Sequence, residues 1–93
     1  MNQRQLFQSY IAQTTSNPLA IEVIRAEGIY LYSPNNEIYM DMISGISVSN
    51  IGHCHPRVVE AICEQSQKFM HLMVYGEYIY SPQVQLAEFL TQL

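Results

Sequence analysis

The run D-M-I-S-G-I-S-V-S-N-I-G-H-C-H-P, from Asp41 to Pro56, constrains the fold more than any other part of the chain. A β-branched and aromatic stretch, Ile38 to Ile43, leads into it and reads as a strand. An apolar-periodic stretch follows from Pro56 and reads as a helix. Proline fits the first helical position because the N–H it lacks would have no intrahelical partner there. The chain must therefore leave a sheet and enter a helix across one short loop, and that loop carries Gly45 and Gly52.

The rest of the sequence supplies what that junction joins. Within residues 1–17, Leu6, Phe7, Tyr10 and Ile11 recur at helical spacing and predict a short helix over 3–13, with a linker after it. The helix stops before Pro18, since the residue ahead of a proline avoids the helical region. Residues 18–43 predict a three-stranded antiparallel meander: Ile21 to Ala26, Ile29 to Tyr32 and Ile38 to Ile43. Gly28 separates the first pair of strands. Ser33-Pro34-Asn35-Asn36 separates the second pair, with Pro preset for the second turn position and Asn tolerant of positive φ. In the middle strand Ile29 and Leu31 alternate with Tyr30 and Tyr32, so one face is aliphatic and the other phenolic.

Residues 44–55 form the loop and residues 56–93 the helical part. In the first helix Val58, Val59, Ile62, Cys63, Phe69 and Met70 form an expected buried stripe, with Glu64 and Lys68 outside it at i, i+4. Ser81-Pro82 predicts a second capped start, followed by the stripe Leu86, Phe89, Leu90 and Leu93. The stripe runs to the last residue with nothing to cap it, which suggests a fragment. The fold class expected is α+β: a short helix, the meander, then two helices.

Charge excludes one large class of function. The 93 residues carry a formal net charge of −4, and the four basic residues, Arg4, Arg25, Arg57 and Lys68, are scattered, so no basic face exists for nucleic acid. No apolar run approaches the roughly 18 residues of a membrane span, and the first residues lack the blocks of a signal peptide, which makes a cytoplasmic location the expectation. With 48% hydrophobic and 13% charged residues, about half the usual charge, the surface should expose Tyr, Met and Ile and meet a partner.

The clusters of reactive side chains are weaker than they look. His53-Cys54-His55 with Cys63 and His71 suggests a metal, yet adjacent residues rarely reach one ion together and the usual zinc spacings are absent. His55 is expected to cap the following helix and His53 to fix the loop after Gly52. Cys54 and Cys63 are expected as free thiols, and Cys54 is not expected as a nucleophile, because the side chains of its neighbours His53 and His55 point away from it in an extended loop. The carboxylates Glu22 and Glu27, or Glu37 and Asp41, are expected to solvate a sheet face. Gly45 and Gly52 bracket Ser44, Ser47 and Ser49, but this is neither the P-loop nor the dinucleotide pattern.

From Glu27 to Asp41 and then Ser44 to Pro56, the motifs E-G-I-Y-L-Y…Y-x-D and S-G-I-x-V-x-x-x-G-H-x-H-P resemble the amino-terminal part of the class III pyridoxal-phosphate aminotransferases. This group includes acetylornithine, ornithine and 4-aminobutyrate aminotransferases. The match continues through Ala61, Gln65, His71 and the L-A-E-x-L of Leu86 to Leu90; it departs at Asn36, where the family usually has Gly, and at Met73 to Gly76. The resemblance implies transfer of an amino group from a small-molecule donor to 2-oxoglutarate on pyridoxal 5'-phosphate in the full-length enzyme, working as a homodimer or higher oligomer. It also implies that Ser44, Gly45 and Ile46 face the substrate, with an aliphatic residue at 46 as in the acetylornithine and 4-aminobutyrate branches, and that Tyr75 and Gly76 lie near a dimer interface. No residue matches the family's Schiff-base lysine, pyridinium acid or phosphate site, so this stretch is expected to hold no cofactor and to have no catalytic residue or activity alone. A second reading stays open: a small self-standing α+β module whose Tyr and Met surface binds a protein.

Overall fold

Gly28 turns the chain from its first strand into its second. In the computed structural model, which describes all of residues 1–93, Gly28 adopts φ +60°, the left-handed backbone that a two-residue hairpin loop requires at its first position. The hairpin pairs β1 (Arg25–Glu27) with β2 (Tyr30–Tyr32) antiparallel, with Ala26 opposite Leu31. β2 pairs in turn with β3 (Ile38–Met40), with Leu31 opposite Tyr39. The sheet order is β1-β2-β3, the meander expected. In the second turn Asn36 takes φ +63°, and the Ser33 hydroxyl accepts the N–H groups of Asn35 (3.2 Å) and Glu37 (3.1 Å). Ser33 is the one buried residue of the chain.

The strands are shorter than their β-branched runs, for different reasons at the two edges. β2 spans Tyr30–Tyr32, so residues upstream of Ile24 have no strand to pair with; Ile24 itself still donates to the Tyr32 carbonyl at 2.9 Å. β3 ends at Met40 because the Asp41 carboxylate captures the N–H groups of Ile43 and Ser44, peeling the chain off the sheet. The loop expected at residues 44–55 begins with a single turn, α2 (Ser44–Ser47).

Before the sheet lies α1 (Gln3–Tyr10), started by a reciprocal capping box: Gln5 N–H donates to the Asn2 side chain at 3.0 Å and Asn2 N–H to the Gln5 side chain at 2.9 Å. It ends three residues before the expected boundary, with Ile11 extended. After the loop come α3 (Pro56–Lys68), opening at the proline as expected, and α4 (Ser81–Thr91). Tyr80 occupies the cap position of α4 and makes no side-chain cap bond, so Ser81 is its first helical residue rather than its cap.

The chain divides into two compact units, Met1–Val59 and Glu60–Leu93. In the second, Phe69 and Tyr80 meet edge to face at 6.0 Å, and the Tyr80 hydroxyl donates to the Met73 carbonyl at 3.2 Å. The stripe expected to be buried on α3 is not: Val58, Val59, Ile62 and Met70 are exposed, as is Cys63, and Phe69 alone is half-buried. Glu64 and Lys68 form no ion pair. The stripe of α4, Leu86, Phe89, Leu90 and Leu93, is likewise exposed. No helix is long and apolar enough to cross a membrane.

Candidate functional site

The tip of the β1–β2 hairpin is clasped by the loop that leads to α3. Gly28 N–H donates to the His53 carbonyl at 3.0 Å and His53 N–H to the Gly28 carbonyl at 2.8 Å, an isolated antiparallel bridge. Gly52 makes the approach possible. A Cβ there would stand 3.2 Å from the Gly28 carbonyl oxygen, and its φ of +82° suits glycine independently of space.

The clasp aims the imidazole of His53 at Asp41, with Nε2 2.6 Å from Oδ2. An ionised carboxylate has no proton to give, so Nε2 carries the hydrogen. The other carboxylate oxygen, Oδ1, accepts from Ser44 N–H at 2.8 Å and Ile43 N–H at 3.2 Å. The Ser44 N–H, the His53 side chain and the Ile43 N–H all favour the charged form, and together they hold the Asp41 carboxyl below its ordinary range against the opposing effect of partial burial. Elsewhere on the sheet Glu37 raises the Tyr39 hydroxyl, chiefly by accepting its hydrogen bond at 2.8 Å.

What Asp41 anchors is an unusual piece of backbone. Ser44, Gly45, Ile46 and Ser47 have φ values of 56°, 61°, 63° and 63°, so α2 is a left-handed turn. Left-handed backbone costs roughly 1–2 kcal/mol at each non-glycine residue, and Ile46, being β-branched, is the least suited to it. The turn closes on itself through Val48 N–H and Ser49 N–H, both reaching the Ser44 carbonyl, and through the Ser44 hydroxyl donating to the Ser49 carbonyl at 3.1 Å. The outcome is an Ile46 side chain held 84% exposed on a strained support. Strain of this kind gathers at functional sites.

Beside the turn is an open concavity of about 390 Å³ whose lining includes Gly28, Asp41, Ser44, Ser49 and His53. Of the three residues expected to face substrate, the fold sets Ser44 in this lining, while Gly45 and Ile46 follow it along the same turn on the exposed side. Tyr75 and Gly76 lie in the second unit, on a turn where Glu77 N–H reaches the Tyr75 carbonyl at 2.8 Å; Tyr75 is exposed. The His-Cys-His run does not converge. His53 faces Asp41, whereas the His55 Nδ1 accepts the Arg57 N–H at 3.3 Å, the expected cap of α3. Cys54 and Cys63 are free and exposed, and no three His, Cys, Asp or Glu side chains are grouped to hold a metal ion.

Sequence reasoning placed Asp41 on a solvated sheet face, and the structure corrects this: its side chain is 11% exposed and fully engaged. The signal was present as D-x-x-S at a strand end, where an Asp accepts the N–H groups two and three residues on. The pairing with His53 had no such local signal, since it depends on the hairpin tip.

The fold of the chain recurs in known proteins. A solved structure of adenosylmethionine-8-amino-7-oxononanoate aminotransferase from Methanocaldococcus jannaschii matches over 96% of this chain at a TM-score of 0.83 and 25% identity. One of taurine:2-oxoglutarate aminotransferase from Bifidobacterium kashiwanohense, in complex with pyridoxal phosphate and glutamate, matches over 94% at 0.80 and 30% identity. The fold is thus that of one region of the pyridoxal-phosphate aminotransferases. Residues 10–93 match the family described as Aminotransferase class-III, and the acetylornithine aminotransferase of Archaeoglobus fulgidus is 40% identical over 85 residues, 90% of this chain. The chain belongs to the class III aminotransferases. It spans 20 to 22% of the length of these three relatives.

Proposed function

We propose that this chain is the amino-terminal portion of an acetylornithine-like class III aminotransferase, transferring an amino group to 2-oxoglutarate. In this reading Ser44, Gly45 and Ile46 form part of the wall of the substrate channel, and Tyr75 and Gly76 contribute to a subunit interface of a homodimer or higher oligomer in the cytoplasm. The observation that carries it is the family match over residues 10–93, which contains the left-handed turn presenting Ile46. The exposed Tyr and Met side chains that also fit a self-standing interaction module are then surface covered within the complete enzyme.

Pyridoxal 5'-phosphate, when bound in that enzyme, supplies the electron sink for amino-group transfer. The residues of this stretch do not fit the cofactor. Its one lysine, Lys68, is exposed on the last turn of α3, and Gly28, Gly45 and Gly52 serve turns and a backbone approach rather than a phosphate cradle. The catalytic lysine and phosphate site belong to residues outside this stretch, and the stretch alone is inactive. What it does is bind and orient the donor. Relatives of the same fold carry acetylornithine, taurine and adenosylmethionine in their names, compounds that differ in size and in the groups they carry beside the amine, so a wall residue such as Ile46 is placed to discriminate among them.

The test is Ile46→Tyr in the full-length enzyme. Added bulk and a hydroxyl narrow the room for an acyl group, so the ratio of kcat/KM for N-acetylornithine over ornithine should fall by a factor worth about 1 to 3 kcal/mol, the scale of one altered pocket contact. An unchanged ratio would remove Ile46 from the wall.

A further inference from the structure

The left-handed turn is not held by its own bonds alone. Within it, the Ile43 carbonyl accepts the N–H groups of Ile46 at 3.0 Å and Ser47 at 3.3 Å, and the Ser44 carbonyl and hydroxyl make the closing bonds to Val48 and Ser49, but the N–H groups of Ile43 and Ser44 at its entry find no partner in the turn. The entry is fixed from outside, by Asp41 Oδ1 on the N–H groups of Ile43 and Ser44. Asp41 is fixed in turn on both sides: its N–H donates to the Ile29 carbonyl at 2.7 Å, and its Oδ2 accepts from His53 at 2.6 Å. His53 is clasped by both backbone groups of Gly28. An unbroken chain of hydrogen bonds therefore runs from the hairpin tip through His53 and Asp41 to the residues that present Ile46.

We propose that Asp41 and His53 are positioning residues for amino-donor recognition, holding the Ser44–Ser47 turn left-handed and thereby setting where Ile46 stands. The inference rests on the reading that Ile46 lines the substrate channel. Its physical basis is a backbone preference. Ser44, Ile46 and Ser47 each favour negative φ, so a turn released from Asp41 relaxes toward right-handed backbone and carries the Ile46 side chain to another place. A charged carboxylate accepting several N–H groups is the strongest restraint side chains can apply here, because hydrogen bonds to an ionised acceptor are about twice as strong as neutral ones.

The experiment uses the full-length enzyme with His53→Ala, His53→Gln, Asp41→Asn and, as an independent arm, Ile46→Ala. The readouts are kcat/KM for N-acetylornithine and for ornithine, the thermal midpoint and the bound cofactor. Ile46→Ala tests the channel wall by itself and should move the donor ratio about tenfold, the order expected of one pocket contact. His53→Ala should move the ratio in the same direction and by a similar factor at unchanged cofactor content. His53→Gln, whose amide N–H reaches Asp41 in place of Nε2–H, should return it most of the way. Combining Asp41→Asn with His53→Ala should add little, since the two act through one contact. If Ile46→Ala moves the ratio while both His53→Ala and Asp41→Asn leave it at the wild-type value, the positioning role is overturned and the channel wall stands. If Ile46→Ala leaves the ratio unchanged, the wall fails and the positioning role with it. Should His53→Ala not fold, Asp41→Asn and His53→Gln decide: a ratio moved by the first and kept by the second supports the role, and a ratio moved by neither overturns it.

Discussion

Asp41 divides its carboxylate between two neighbours of different kinds, backbone N–H groups of the turn and the ring of His53. All of these partners favour the ionised form, so the folded-state pKa lies below the unfolded value of about 3.9. A lowered folded value means that the stabilisation is fully present above the unfolded value and is lost as pH falls through the folded one. In the full-length enzyme, Asp41→Asn should therefore lower the urea midpoint at neutral pH, and the difference from wild type should close as pH drops below 3.9. A gap that persists unchanged at low pH would show that Asp41 acts by shape rather than charge. By contrast the Arg25–Glu27 pair, at 3.0 Å but with both side chains more than half exposed, contributes about 0–1 kcal/mol and is no determinant of the hairpin. The D-x-x-S pattern made the turn-capturing half of Asp41 readable in advance. The His53 half was not, because residues 41 and 53 meet only once the hairpin tip has been placed.

At the scale of elements, three pieces of irregular backbone do the positioning: the hairpin loop at Gly28, the clasp at Gly52–His53 and the left-handed turn at Ser44–Ser47. Gly52 is the tightest point. Substituting alanine adds a Cβ 3.2 Å from the Gly28 carbonyl and holds a non-glycine residue at φ +82°, so Gly52→Ala should cost roughly 1–3 kcal/mol. Denaturant titration of the full-length enzyme checks this, and a cost below about 0.5 kcal/mol, the range of ordinary surface substitutions, would mean that the loop yields without penalty. Gly45→Ala meets nothing closer than 3.6 Å, so its cost is that of left-handed backbone alone. Glycine 52 could be read from the sequence as a position with a backbone demand. Which backbone it would meet could not.

For the whole chain the dominant fact is uncovered apolar surface. Its accessible area is 8495 Å², against about 5,500 Å² for a folded monomer of its 10.7 kDa mass. The excess, roughly 3,000 Å², is several times the about 800 Å² that one partner buries in a standard interface. Side chains such as Ile46, Met70, Ile79 and Leu93 are more than four-fifths exposed, and no apolar residue is buried. With apolar burial worth roughly 25 cal/mol per Å², even partial cover of such a surface favours assembly. The isolated 93-residue chain should therefore self-associate, and light scattering should give a mass above that of the monomer at every workable concentration. A monodisperse monomer at high concentration would overturn this.

Local chemistry was enough for the sequence to determine the order and type of the elements, α2 apart, which was expected as loop. Period-two runs marked the strands, Gly28 and Ser33–Asn36 their turns, and Pro56 the start of α3, because each of these rests on the conformational limits of a residue and its near neighbours. Motif order from Glu27 to Pro56 was enough for the family. Tertiary structure decided three further things. It ended β1 and β3 where partners ran out or Asp41 intervened, it exposed helix stripes whose periodicity had promised burial, and it joined Asp41 to His53 beneath a left-handed turn. Each of these depends on what another part of the chain supplies: a pairing strand, a covering layer, or a hairpin tip able to hold an imidazole against a carboxylate. Periodicity states which face of a helix is apolar, but only a neighbour in space can cover it.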